Sequence, residues 1–506
     1  MQGEPEGPDG GDSPWPPGAH RAALALVVVG AVLRLEAYLR CRNLWLDEAY
    51  LADNILSRSF GGLVRPLDHH QGAPLGFLWL TEAAVELLGG SEYALRLVPL
   101  LAGLASLPLF VAVARRFVGP GPGLLAVGLF AVAQPLVYFA SELKPYSLDV
   151  ALGLVILLVA LRADERPEST RRLLALGLAG ATAVWFSYPA AFVLGGAGAT
   201  LLARAWLARR PRFLALVAVA AAAWLASFAL QYALFLRHLG ADPELATFWE
   251  NLRAFPPRSA WPAVAWLARV LYRAPREVTA LDTKPIVAIL LGLGASGFVR
   301  SRRWDLLLFL VAPIVLVLAA SAARLYPFYN RLVLFTAPAY LLLVARGIEG
   351  LGASPLRWRR VLAVVAAVTI AVVPIGKGIR DAFVRDTREE IEPVLEHVAR
   401  SWRMGDTLYV HHRSVVPFRF YRDEAGLDPA IVPVRGADFP DDRQRGRDLR
   451  ALVGHKRVWF LFGRTDDRKI YLGDLDRLGT RLDERRAPGA SAYLYDLTGA
   501  DRPTSR

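Results

Sequence analysis

About eleven apolar blocks, most of them near the ~20 residues that a helix needs to cross a bilayer core, constrain this chain more than any other feature. They run roughly over 22–40, 95–114, 121–139, 147–162, 173–188, 190–206, 213–236, 285–300, 305–323, 329–346 and 361–378. The 506-residue chain is 54% hydrophobic, and the excess sits in these blocks rather than along the whole length. That pattern excludes an ordinary soluble enzyme and predicts an α-helical polytopic membrane protein with about eleven transmembrane helices.

The net charge is +13, and most of the cations are arginines. They fall in short loops between apolar blocks: Arg115-Arg116, RADERPESTRR (162–172), ARRPR (208–212), RSRR (300–303) and RWRR (357–360). If the N-terminus is cytoplasmic, all five clusters face the cytoplasm, as the positive-inside rule requires, so no nucleic-acid partner is expected. The segment APLGFLWLTEAAVELLG (73–89) must then not cross; it carries Glu82 and Glu86 and reads as an amphipathic helix in the outer interface. Loops 41–94, 140–146, 237–284 and 324–328 are expected on the outer side.

Residues 1–20 are rich in Gly, Pro and acid and read as a disordered cytoplasmic tail without a signal peptide's basic start. The single cysteine, Cys41, rules out an intrachain disulfide and any Cys-based metal motif. Residues 21–379 form the predicted membrane domain, with 41–94 as its first outer loop.

From residue 380 onward the composition is that of a small soluble α/β domain. A helix is expected over TREEIEPVLEHVARSW, with Ile391, Val394, Leu395, Val398 and Trp402 on one face and a Thr387–Glu390 capping box. Strands are expected at TLYVHH, AIVPV (430–434), RVWFLFG (457–463) and AYLYDL (492–497), alternating with helices in a parallel sheet. No Gly-rich phosphate loop follows a strand, so the domain reads as a cap or acceptor-docking module.

The residues able to do chemistry gather on the predicted outer side. NLWLDEAY (43–50) puts Asp47 and Glu48 just after the first apolar block. Acids among apolar neighbours become general-base candidates, whereas a pair beside Trp45 and Tyr50 could also be an interface anchor. His69 and His70, in PLDHHQGAPLGF, could contact a phosphate, hold a divalent cation with Asp47, or simply order the loop. Lys144, in SELKPYS, suits a lipid phosphate or snorkels to the surface. RLYPFYNR supplies Arg324, Tyr326, Tyr329 and Arg331, and a charge such as Arg331 at the start of an apolar block needs a partner. These acids and cations suggest transfer from a lipid-linked phosphate donor, the cations holding phosphate and an acid deprotonating an incoming hydroxyl.

The order NLWLDEAY, HHQGAPLGFLWL, SEYALRLVPLLAGLASLPLFVAVARRF and QPLVYFASELKPYSLDV resembles the bacterial GT-C membrane glycosyltransferases. These are relatives of the dolichyl-phosphate-mannose protein mannosyltransferases and of the aminoarabinose transferase that modifies lipid A. RLYPFYNRLVLFTAPAYLLLVARGIEGL resembles a late span of that family, so the likeness covers about residues 22–350. It implies a GT-C fold, an extracytoplasmic active site and a polyprenyl-phosphate sugar donor. It also implies inverting transfer that needs a metal weakly or not at all. By position Asp47 matches the family's catalytic acid and Glu48 its neighbour. Arg96 matches the arginine of an Arg-Leu-Pro run, and Lys144 and Tyr146 match a basic-x-Tyr feature. The second-loop motif departs from the family, with one proline, Pro74, after His69-His70-Gln71-Gly72-Ala73 in place of a Pro-Pro pair.

The expectation is therefore a multi-pass glycosyltransferase of the bacterial inner membrane, with its active site and residues 380–506 extracytoplasmic. Asp47 and Glu48 are the catalytic candidates, and His69, His70, Arg96, Lys144, Tyr146, Tyr329 and Arg331 the substrate-binding ones. Its partners would be membrane lipids, a polyprenyl-phosphate sugar, and a glycan, lipid or protein acceptor. No cofactor is expected, a divalent cation being the alternative. The rival class is a transporter or flippase of a lipid-linked glycan, although the internal repeat common in transporters is not evident.

Overall fold

A computed structural model describes residues 15–383, 388–437 and 441–499. Its contacts divide the chain into two compact units, Met1–Arg40 with Phe60–Val384, and Cys41–Ser59 with Arg385–Arg506. The expected N-terminal tail lies, up to residue 14, outside the described residues, and a helix starts at Pro17.

The first unit is helical, and every one of the apolar blocks forms helix. Among the described residues eight helices are long and apolar enough to span a membrane, and a ninth candidate is a pair, Pro120–Val132 and Gln134–Ser141, bent by 49°. The count falls below about eleven because two blocks make helices of only 17 residues, Thr170–Phe186 and Lys284–Arg300, short of the ~20 a straight span needs. The helix expected at 73–89 is present as Leu75–Leu88. At 1.5 Å per residue its 14 residues reach only about 21 Å, less than a bilayer core.

The bent pair has an identifiable cause. Pro135 lacks an N–H, so the carbonyl of Ala131, four residues earlier, loses its helical donor. Arg34 of the first helix is wholly buried and supplies the replacement. Its Nη1 donates to Ala131 O at 3.1 Å and to Gly30 O at 2.9 Å, and its Nη2 donates to Phe130 O at 3.4 Å. A charge inside a predicted span is thereby matched to carbonyls that lipid could not satisfy.

Small residues set the tightest helix crossing. A Cβ on Gly294 would overlap Leu343 O, and one on Gly347 would overlap Leu290 O, so helices Lys284–Arg300 and Ala337–Gly352 pack backbone to backbone.

Ion pairs tie the arginine-rich loops together at one end of this unit. Arg116 and Arg172 both reach Glu165, at 2.9 and 3.3 Å. Arg204 bridges Asp164 and Asp305, at 2.8 and 2.7 Å. Arg346 pairs with Glu349 and donates to Ser301, while Glu349 accepts the Gly119 N–H at 2.7 Å. The loops that carry four of the five basic clusters thus meet at one end of the bundle, as the charge pattern requires.

The second unit is built on a mixed five-stranded sheet. Its strands are β1 (Thr407–Val410), β2 (Val434–Arg435), β3 (Val458–Phe462), β4 (Thr480–Ala487) and β5 (Ala490–Asp496), in the order β2-β1-β3-β5-β4. The β1, β2 and β3 pairings are parallel, and those of β5 with β3 and β4 are antiparallel. The wholly parallel sheet read from the sequence is therefore corrected. β4, TRLDERRA, is an edge strand whose polar, largely solvent-facing side chains hide it in the sequence. It pairs with β5 across Pro488-Gly489, where Gly489 has φ +68°. AIVPV contributes only its last residue, Val434, to the two-residue β2, because Pro433 cannot donate to a ladder. The helix begins at Glu392, with Val394, Leu395 and Val398 buried; Thr387 of the expected capping box lies outside the described residues.

Candidate functional site

The acid pair belongs to the second unit. Within the stretch expected as the first outer loop a helix forms, Leu46–Ser57, which places Asp47 and Glu48 in its first turn. Glu48 is buried and Asp47 half-buried. Trp45 stands at the N-cap and offers no side-chain acceptor; its carbonyl accepts from Glu48 N and Ala49 N at 2.8 and 2.9 Å, which leaves the N–H groups before Glu48 beyond the reach of helical bonding. Glu389 meets one of them, its Oε2 accepting from Leu46 N at 3.1 Å. The preceding residues are held as firmly. Leu44 N donates to the Tyr421 hydroxyl at 2.6 Å. Asn43 and Glu392 exchange two bonds, Asn43 Nδ2 to Glu392 Oε2 at 3.1 Å and Glu392 N to Asn43 Oδ1 at 3.2 Å. The Arg388 guanidinium lies 4.8 Å from the centre of the Trp45 ring.

The candidate cations belong to the first unit, at the end opposite the arginine ion pairs. Helix Tyr146–Glu165 runs between the two ends, with Lys144 just before its start and Glu165 at its close. Lys144 is buried, and its Nζ donates to Gln71 Oε1 at 2.8 Å, joining SELKPYS to the second-loop motif. The Tyr188 hydroxyl donates to Ala73 O at 2.9 Å, fixing the same loop from a third segment. Tyr146 is buried, its ring 5.1 Å from that of Phe139. One turn further along the helix, Asp149 is buried and hydrogen-bonded to Ser187. Arg96 is buried near the start of helix Glu92–Phe117.

The two histidines take left-handed backbone conformations, with φ +60° at His69 and +54° at His70. His70 faces acids on both sides. Its Nδ1 lies 2.7 Å from Asp242 Oδ2, and its Nε2 lies 3.0 Å from Glu244 Oε2. The hydrogen bond to Asp242 raises the His70 pKa against a smaller lowering by burial, and the charges of Asp242 and Glu244 add to the rise. Asp242 also caps the helix Pro243–Asn251, accepting from Glu244 N and Leu245 N at 3.0 and 3.1 Å. His70 thus ties the PLDHHQGAPLGF segment to that helix. Among the described residues no three His, Cys, Asp or Glu side chains are grouped to hold a metal ion.

The segment around Tyr329 forms a neighbouring cluster. The Tyr329 ring lies 5.8 Å from that of Trp249, and Arg324 pairs with Glu250. Arg331 sits in a 3₁₀ segment, Asn330–Thr336, that precedes helix Ala337–Gly352. Tyr326 links this cluster to SELKPYS through its electrostatic neighbours Asp149, Tyr146 and Tyr188, and its hydroxyl donates to Leu332 O at 2.9 Å.

The sequence reading passed over Gln71, Asp149, Tyr188, Asp242 and Glu389. Gln71 and Asp149 stood inside quoted motifs, and their signal was a polar side chain beside apolar ones. Tyr188 read as a turn residue. Asp242 and Glu389 carried no local signal, because their partners lie far away in sequence.

Residues 72–235 match the family described as dolichyl-phosphate-mannose-protein mannosyltransferase. Comparison with solved structures matches almost the whole chain. ArnT from Cupriavidus metallidurans, crystallised with undecaprenyl phosphate, is 14% identical with a TM-score of 0.56, over 96% of this chain and 99% of that one. The apo oligosaccharyltransferase of Archaeoglobus fulgidus is 11% identical with a TM-score of 0.51, over 95% of this chain and 75% of that one. No match was found among curated protein sequences. Over residues 72–235 the chain is thus similar to that mannosyltransferase family, and over almost its whole length it shares the fold of ArnT and of the apo oligosaccharyltransferase.

Proposed function

We propose that this GT-C-type chain transfers a sugar from a polyprenyl-phosphate-linked donor to an acceptor hydroxyl, with inversion, on the extracytoplasmic face of the bacterial inner membrane. Asp47 is the general base. It takes the proton of the acceptor hydroxyl as that oxygen bonds to the anomeric carbon, while the bond from that carbon to the donor's phosphate oxygen breaks. The lipid leaves as polyprenyl phosphate, its charge stabilised by Lys144, Arg96 and Arg331. General-base help is worth ~10²–10⁴ in rate, and stabilising the leaving phosphate adds a further factor. Tyr146, Tyr329 and His69 line the sugar and phosphate path, and His70 holds the PLDHHQGAPLGF segment through Asp242 and Glu244.

The observation that carries this reading is the location of the acids. Asp47 and Glu48 open a helix in the first loop, the position at which the resembling family keeps its catalytic acid. The likeness to a protein crystallised with undecaprenyl phosphate supports the donor class.

The test is transfer of labelled sugar from a panel of polyprenyl-phosphate sugars, wild type against Asp47→Asn, with insertion verified in both. Label reaching an acceptor only in wild type is the expected result. Full activity in Asp47→Asn overturns the assignment of the base, and no transfer from any donor overturns the reaction.

A further inference from the structure

The geometry points to Glu389 of the C-terminal unit as a positioning residue that sets the helix carrying Asp47 and Glu48. The inference rests on the reading of Asp47 as the base. It starts from a gap in the sequence of that helix. Trp45 at the N-cap makes no side-chain capping bond, and Glu389 reaches Leu46 N at 3.1 Å from 343 residues away.

Glu389 is itself rigidly held. It is buried, and its other oxygen, Oε1, accepts from Arg464 N at 3.3 Å, just past the end of β3. A Cβ on Gly463 would overlap that oxygen, so the glycine is what lets the β3 backbone approach the carboxylate. Glu390 N donates to Pro488 O at 2.8 Å, and a Cβ on Gly489 would overlap Arg388 O, so residues 388–390 are clamped on the β4–β5 turn. Gly463 N donates to Ser414 Oγ at 2.5 Å, tying the segment after β1 to the same point.

Glu389 therefore sits where the carboxyl ends of the parallel strands β1 and β3 converge, the edge at which α/β sheets commonly hold ligands. Here that edge holds the protein's own acid-bearing segment, by Glu389, Tyr421 and Glu392 together. The domain read from sequence as a cap or docking module is thus assigned a part in placing the base, one residue beyond Leu46.

The test uses the full-length protein in detergent or membranes, with Glu389→Ala, Glu389→Gln, Asp47→Asn and, as an exposed control on β4, Glu484→Gln. Two readouts are taken. The first is amide hydrogen exchange over residues 44–52, which needs no substrate. The second is kcat and donor KM with the donor identified by the transfer assay.

Glu389→Ala is expected to speed exchange over 44–52 and to lower kcat by about 10²-fold with donor KM within about twofold of wild type, as a displaced catalytic group does. Glu389→Gln keeps the shape and one acceptor oxygen. It is expected to fold even if the alanine variant does not, and to fall between wild type and alanine in exchange. Glu484→Gln should match wild type in both readouts. Unchanged exchange over 44–52 in both Glu389 variants overturns the inference. So does full kcat in Glu389→Ala beside an inactive Asp47→Asn. An active Asp47→Asn instead overturns the base assignment, and the exchange result still decides whether Glu389 holds the helix.

Discussion

Lys144 Nζ donates to Gln71 Oε1 at 2.8 Å, so a buried cation and the second-loop motif are held as one piece although 73 residues separate them. The amide oxygen that accepts this bond carries no net charge, so the bond is a neutral tether between the two segments. Lys144→Met should raise donor KM and lower kcat together. Gln71→Leu removes only the tether and should raise donor KM by a smaller factor with kcat nearly kept. Steady-state kinetics of the two variants separate these outcomes, and equal losses in both would show that the lysine acts only through its tether.

The bond from Arg34 to Ala131 predicts a stability effect that needs no substrate. Arg34→Leu strands the Ala131 carbonyl, at a cost of about 1–3 kcal/mol for a buried polar group left unpaired. Pro135→Ala restores an N–H four residues after Ala131. Thermal unfolding in detergent should show Arg34→Leu lowered, and the double variant Arg34→Leu/Pro135→Ala partly recovered. Simple additivity of the two changes would argue against the shared carbonyl.

His70 predicts a pH-dependent hold on the loop helix Pro243–Asn251. Its folded pKa is raised above 6.5, first by the hydrogen bond to Asp242. The extra stability is thus fully present below about pH 6.5 and is lost as pH rises through the raised value. Against burial, the bonds from His70 and the backbone amides hold Asp242 below its ordinary value, so it stays ionised across that window. Protection factors for residues 242–251 should fall as pH rises through neutrality in wild type and stay level in His70→Ala. High salt should blunt the effect, because the imidazole is half exposed.

Glu389 predicts a pH slope of the opposite origin. Burial pushes its carboxyl up to about 7, against the backbone N–H groups of Leu46 and Arg464 and the charge of Arg464. The folded chain therefore binds a proton more readily than the unfolded chain, whose glutamate titrates near 4.5. This group's contribution to stability is full below about pH 4.5 and declines as pH rises to about 7. Glu389→Gln cannot titrate. The difference between wild-type and variant unfolding midpoints in the full-length protein should shift steadily against wild type over that interval and level off above it.

What the sequence determined by itself is what depends on local pattern. The helices follow from apolar blocks, because an unpaired backbone in lipid admits little else. The gathering of the arginine-rich loops at one end follows from charge bias, and their ion pairs through Glu165, Asp164, Asp305 and Glu349 realise it. β1, β3 and β5 follow from short apolar and aromatic runs. The acid pair, the histidines and Lys144 were legible as polar residues out of place beside predicted spans.

Tertiary structure decided the rest, because it turns on partners remote in the chain. β4 is polar on an exposed edge and becomes a strand only by pairing with β5. Asp242 matters only because the fold brings His70 to it, and Gln71 only because Lys144 does. The sequence places Asp47 and Glu48 near the start of the first outer loop, and only the fold groups residues 41–59 with the C-terminal unit. A hydrogen bond across 343 residues leaves no trace in spacing or periodicity, so no window of sequence could have assigned Glu389 to the helix that begins at Leu46.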